Sequence, residues 1–259
     1  MTEPQPNRAF AWTQASWGRA LTCVPLQRVA PHLFTVANLE LRDRPEEWEV
    51  VAAEMEIAST SIRLIRQVHG AEVAVVGGGS SGRWDPPEAD AIVSNDPSVA
   101  IVVRVADCAP ILLADRRLGV VAAVHAGWRG TVKRAGPAGV AALGREFGSN
   151  PADLVAAIGP CLGQCCGEVG QEVVQAFRDA GHADDALARW FAAGPSGRPY
   201  LDLPMANRDQ LAASGIPESQ IFDAGLCTRS YPSIFHSYRA AGSQAGRMVG
   251  IIRCAHAKG

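Results

Sequence analysis

Four short runs, "DAIVS", "VAIVVRV", "ILLAD" and "GVVAAV", lie between Asp90 and Val124, and most are apolar at consecutive positions. A strand with one wet face alternates apolar and polar residues, whereas a continuous apolar run needs cover on both faces. The chain must therefore build layers: sheet against sheet, or sheet against helices. Turn signals and polar breaks hold the runs to strand length, and "VAIVVRVADCAPILLAD" is interrupted by Arg104, Asp107 and Pro110, short of the ~20 apolar residues of a membrane helix.

The flanking text supplies the cover. "RPEEWEVVAAEMEIA" has apolar residues at helical spacing behind an acidic first turn. One helix is expected after Trp128 in spite of Pro137, another in "EVGQEVVQAFRDA", and a third in "YLDLPMANRDQLAASG", where a strand leads into a helix with a glycine stop. "LVAAIG" and "GRMVGIIRC" read as strands, and short strands with turns fill Leu21 to Val36. "SIRLIRQV" and "AEVAVV" suggest a tight hairpin or bulge with His69 at its tip. "GGGSSGRWDPP" reads as a flexible loop. With no repeat and no linker, the expectation is one mixed α/β (α+β) domain over residues 1–259, a layered sandwich with mixed sheets.

Charge and cysteine content narrow the function. A net charge of -2 gives no basic excess for nucleic acid, and the N-terminus lacks a basic start followed by an apolar core, so a cytoplasmic location is expected. Seven cysteines in such a chain point to catalytic or metal-bound thiols more than to a disulfide framework.

His69, Cys108 and His125 each stand where a strand meets a loop. Imidazole and thiolate are zinc ligands, and a catalytic zinc site uses three such groups with one open position. Each residue alone has a plainer role: a turn cap, a small buried hydrophobe, a satisfied core histidine. Asp107, at the end of an apolar strand, must accept hydrogen bonds from backbone, a ligand histidine or a substrate, or serve as a cap. In "HAGWRGT" the glycines let backbone approach a ligand, and Arg129 could clamp an anion or simply face solvent. Cys161, Cys165 and Cys166 in "GPCLGQCCGEVG" offer a second soft-metal set, against a reading in which they pack beneath a glycine-rich turn.

The blocks "QVHG", "EADAIVS", "VRVADCAPILLAD", "VAAVHAGWRGT", "AIGPCLGQCCGEVG", "LDLPMANRDQL" and "GRM" occur together, and in this order the chain resembles the YfiH family over residues 62–253. That family has carried the labels multicopper polyphenol oxidase, laccase-like protein and peptidoglycan editing factor, and its members are described as zinc-dependent purine nucleoside phosphorylases with adenosine deaminase activity. The resemblance implies a metal set of His69, Cys108 and His125, with zinc as the cofactor and copper as a competitor. It also implies catalytic roles for Cys108, Asp107 and Arg129, substrate contacts from Arg129, Arg239 and Arg247, and purine nucleosides and phosphate as the small-molecule partners. It leaves two rivals, a copper-dependent oxidase and a cysteine-dependent amidase acting on a peptidoglycan precursor, beside a non-catalytic metal-storage or scaffold role. Six histidines without a His-x-His pair favour zinc over a multicopper oxidase. The chain departs from the family where Val36 and Ala37 replace the usual threonine and arginine, where Gly167 replaces a tyrosine, and where "YRAAG" shortens a more charged run.

Overall fold

The computed structural model describes residues 4–42, 44–77, 84–195 and 197–255. The 78–83 part of the glycine-serine loop lies outside them. Two six-stranded mixed sheets stack face to face. The first runs in the spatial order Phe10–Ala15, Gly18–Cys23, His32–Thr35, Met248–Arg253, Ala100–Val105 and Ile62–Arg63; the second runs Ile221–Asp223, Leu154–Ile158, Ala109–Asp115, Val121–Ala126, Ala91–Ser94 and Val73–Val76.

The continuous apolar runs explain this layering residue by residue. In Ala109–Asp115, Leu112 and Ala114 enter the core between the sheets, while Ile111 and Leu113 enter a second core under the helices Ala135–Phe147, Gln171–Asp179 and Leu203–Ala213. In Ala100–Val105, Ile101 and Val103 face the inter-sheet core, and Ala100 and Val102 face the helix Pro45–Glu54 through Val51 and Ala52. Both faces of these central strands are thus dry except at Arg104, near the end of the second, which is half-buried. The sheets come close at Gly250, where a side-chain carbon would lie 3.2 Å from Pro110 and 3.3 Å from the Phe34 ring.

Two local expectations are corrected. "SIRLIRQV" and "AEVAVV" form no hairpin: Ile62–Arg63 pairs parallel with Ala100–Val105 in the first sheet, and Val73–Val76 pairs parallel with Ala91–Ser94 in the second. Each run finds a buried apolar partner in a different sheet, and the polar stretch between them becomes a crossing from one sheet to the other. The helix after Trp128 is two helices, Trp128–Val132 and Ala135–Phe147, separated at Arg134, whose φ of 60° is left-handed. Pro137 then sits in the first turn of the second helix, where its missing N–H costs nothing.

His32 shows how tightly the first sheet is closed. Its Nε2 accepts the backbone N–H of Cys23 and its Nδ1 donates to the Ala30 carbonyl, both at 3.0 Å. Those bonds require a neutral ring, and burial pushes its pKa down to about 4 from an ordinary 6.5. Between these values the unfolded chain takes up a proton that the folded chain refuses, so stability falls as pH drops through that window. At ~1.4 kcal/mol per pKa unit, the loss should approach roughly 3 kcal/mol by pH 4. Urea melts from pH 7 to pH 4 should show it, and His32→Gln should flatten that part of the profile; parallel profiles would exclude His32 as the source.

Candidate metal centre and active site

The turn at 106–108 carries the chain from Ala100–Val105 in the first sheet to Ala109–Asp115 in the second. The polar residues in an otherwise apolar stretch mark that crossing. Asp107 makes the corner with φ of 86°, a left-handed conformation unusual for a residue with a side chain. Its carboxylate is held on both oxygens: Oδ1 accepts the Thr228 hydroxyl and Oδ2 accepts the Arg239 backbone N–H, each at 2.6 Å. Cys108 follows at the mouth of a cavity.

His69 lies on the other crossing, between Ile62–Arg63 and Val73–Val76, also with positive φ, 58°. Gln67 holds that crossing in place by mimicking a strand. Its side-chain amide donates to the carbonyl of Arg104 and accepts the Arg104 N–H, both at 2.8 Å. His125 sits in Val121–Ala126, buried.

The three residues converge. Their ligand atoms all lie within 4.8 Å of one another; Cys108 Sγ is 3.9 Å from His69 Nε2, and the two imidazoles meet edge to face with centroids 4.8 Å apart. Gly127 makes room: a side-chain carbon there would stand 2.6 Å from Cys108 Sγ and 3.4 Å from the His69 ring. The backbone at Gly127 is ordinary and extended, so the demand is for space alone.

Asp90 organises the cluster, and the sequence analysis did not single it out. Its carboxylate accepts Nδ1–H of His125 at 2.8 Å and the backbone N–H groups of Val68, His69 and Gly70 at 3.2, 2.9 and 2.5 Å. The carboxylate partner of His125 is therefore Asp90, while Asp107 is committed to Thr228 and Arg239. The available signal was the "EADAIVS" block, where an acid directly precedes an apolar strand.

Burial disfavours charge on both Cys108 and His125, yet each supplies the other's counter-ion and Asp90 adds to the imidazole. The thiol is held down to about 6 and the imidazole up to about 9. With Nδ1 of His125 given to Asp90, its Nε2 is left for the site. Two imidazole nitrogens and an easily formed thiolate suit zinc, and a soft or borderline cation would displace the proton that Cys108 and His125 share. The donor set does not separate zinc from copper.

The cavity in front of the cluster has a volume of about 850 Å³ and is strongly cationic: among the described residues, Arg42, Arg66, Arg104, Arg129, Arg239 and Arg247 line it, against the single carboxylate of Asp107. No ion pair ties Arg42, Arg104, Arg129, Arg239 or Arg247 to a carboxylate among the described residues. Burial, then the neighbouring charges of Arg42 and Arg104, push the Arg247 pKa below the usual arginine value. Arg247 is aimed by the carbonyls of Ala245 and Gly246 at 2.8 and 2.9 Å, and Arg239 by those of Cys166 and Glu168 at 3.3 and 2.9 Å. Arg129 stacks on Trp128, 4.2 Å from the ring centre. The helix bearing Arg129 is anchored from "LDLPMANRDQL": Asn207 donates to Thr131 Oγ1 at 3.0 Å and Gln210 to the Thr131 carbonyl at 2.9 Å.

The departures from the family pattern take a physical form. Arg42, five residues after Ala37, reaches the cavity and binds the Ser243 carbonyl at 2.7 Å and the Ala245 carbonyl. Gly167 lines the cavity with its backbone packed on the Leu201 carbonyl, where no side-chain carbon fits. Among the cysteines, Cys161 is buried under the helices, and the thiols that gather are Cys165, Cys166 and Cys227. Cys227 joins because its segment runs beside that of Cys161 as a parallel bridge, a pairing the linear spacing did not reveal.

Comparison with known proteins agrees with this architecture. A purine nucleoside phosphorylase of Deinococcus radiodurans is 37% identical over 242 residues, covering 86% of this chain and 88% of that one. The adenosine deaminase RL5 of an unknown prokaryotic organism is 39% identical over 200 residues, 73% of either chain. The crystal structure of YlmD from Geobacillus stearothermophilus superposes with a TM-score of 0.82 at 26% identity, covering 95% of this chain and 99% of that one. Residues 38–255 match the family model described as multi-copper polyphenol oxidoreductase laccase. With that match, and with relatives aligned along most of its length, the chain belongs to the multi-copper polyphenol oxidoreductase laccase family, the YfiH family.

Proposed function

We propose that this chain is a single-domain, cytoplasmic, zinc-dependent purine nucleoside phosphorylase, converting adenosine and inosine with phosphate into free base and ribose 1-phosphate. The observation that carries the reading is the group of arginines that have no carboxylate partner among the described residues, Arg42, Arg104 and Arg247 above all, in the cavity that also holds the His69, Cys108 and His125 cluster. Like charges gathered there repel one another, and a dianion relieves the repulsion. Phosphorolysis needs phosphate held in line with ribose C1, and both the positioning of the two reactants and the stabilisation of the charge that develops call for fixed cationic groups. Trp128 and the exposed Tyr238 offer aromatic faces for a purine, with Leu162, Val169 and Leu203 as the apolar wall.

His69, Cys108 and His125 would hold the zinc, which supplies Lewis acidity to the cavity when bound. Asp90 fixes the His125 tautomer and the His69 backbone, Cys108 acts as a ligand thiolate, and Asp107 positions Arg239 through its backbone. Deamination of adenosine is the second activity, supported by the same cluster and by the likeness to adenosine deaminase RL5. The oxidase reading is weakened because, among the described residues, only one histidine-containing ligand group exists.

Product analysis by mass spectrometry, with zinc-loaded protein, adenosine or inosine, and phosphate present or absent, tests the reading. Free base and ribose 1-phosphate should appear only with phosphate, and Cys108→Ala and His125→Ala should each lose metal and turnover while keeping the circular dichroism of the fold. Absence of any nucleoside turnover, or full activity in both variants, would sink it. Arg42→Ala should raise KM for phosphate by ~10-fold or more with a far smaller change for nucleoside, as expected for loss of a charge-assisted contact of ~1.5–3 kcal/mol. Asp90→Asn should weaken zinc binding by ~10–100-fold in a chelator competition, whereas Asp107→Asn should leave it unchanged.

A further inference from the structure

Outside the cavity cluster, Cys165, Cys166 and Cys227 place their sulfur atoms within 4.8 Å of one another. Cys165 and Cys166 lie 3.8 Å apart, and the Ser230 hydroxyl stands 3.4 Å from the first and 3.5 Å from the second. A tetrahedral ion with bonds of ~2.3 Å to sulfur and ~2.0 Å to oxygen separates its sulfurs by ~3.8 Å and each sulfur from the oxygen by ~3.5 Å. The distances among Cys165, Cys166 and Ser230 match these values, and the Cys227 sulfur, within 4.8 Å of the other two, is near enough to complete a three-thiolate, one-oxygen set. We propose that Cys165, Cys166 and Cys227, with Ser230 as the oxygen donor, form a second metal site that takes a thiophilic d¹⁰ cation, Zn²⁺ or Cu⁺.

Two further features fit. The group is graded from exposed Cys165 through half-buried Cys166 to buried Cys227, giving a preformed floor with an entry path. Gly163 beside it leaves the space open: a side-chain carbon there would come within 3.2 Å of Cys227 Cβ and 3.7 Å of the Cys165 and Cys227 sulfurs. Without a cation the thiols compete for charge. The Cys227 pKa is lowered in spite of burial, by Ser230 and backbone amides, while burial and the neighbouring Cys227 raise Cys165 to about 11. A divalent or monovalent soft cation lets all three ionise, and their protons pass to solvent.

The test is metal stoichiometry of the full chain, kept reduced, stripped with chelator and reloaded with Zn²⁺, measured by mass spectrometry of the metal. Wild type should retain two equivalents, Cys108→Ala one, Cys227→Ser one, and the double variant none. Because Cys227 is buried, the exposed Cys165→Ser serves as a second probe and should weaken the second equivalent by at least ~10-fold without loss of nucleoside turnover. A parallel competition between the Cys108→Ala protein and a colorimetric Cu⁺ chelator shows which ion is preferred; binding of either supports the site. A wild-type metal content that Cys227→Ser leaves unchanged in a well-folded protein, no metal in Cys108→Ala, or a Cys165–Cys227 disulfide that persists under the loading conditions would overturn it.

Discussion

The carboxylate of Asp90 is the constraint on which the candidate metal centre depends. Buried just before an apolar strand, it must be saturated with hydrogen bonds, because an unpaired carboxylate there carries a large desolvation cost. It takes three backbone amides from Val68 to Gly70 and the Nδ1–H of His125. One residue thereby fixes the loop that presents His69, the tautomer of His125 and the distance between the two rings. The same anchor holds the left-handed backbone of His69 through its N–H.

The cavity follows from the same economy of polar groups. Arginines line it, and the guanidinium groups of Arg42, Arg239 and Arg247 are aimed by backbone carbonyls instead of by carboxylates. Carbonyl contacts orient the charge without neutralising it. The result is a positive field in front of an electron-rich His-Cys-His set, an arrangement suited to holding an anion beside a site of metal chemistry.

Much of this could be read from the sequence, and the failures share a cause. The apolar runs identified the central strands because burial on both faces leaves a periodicity signal, and His69, Cys108 and His125 stood out because each interrupts a strand end. Asp90 was missed because its importance lies in bonds to residues 20 and 35 positions away. Cys227 was missed because the bridge to Cys161 spans the chain, and Arg42 because its reach into the cavity depends on how 36–42 leaves the first sheet. The false hairpin around His69 was a choice of partner: each half had a better one in a different sheet, and only tertiary competition decides that.

Two of the three candidate ligands sit on segments that step from one sheet to the other, at 64–72 and 106–108, while the third is rooted within the second sheet. Sliding one sheet over its neighbour would change the triangle of ligand atoms before it opened the core. The candidate centre is thus a vernier on the sandwich: small shear between layers, whether from heat, pressure or a cavity-filling ligand, would alter the spacing at which these three groups could hold an ion. An occupied triangle, in return, clamps the layers in a single alignment.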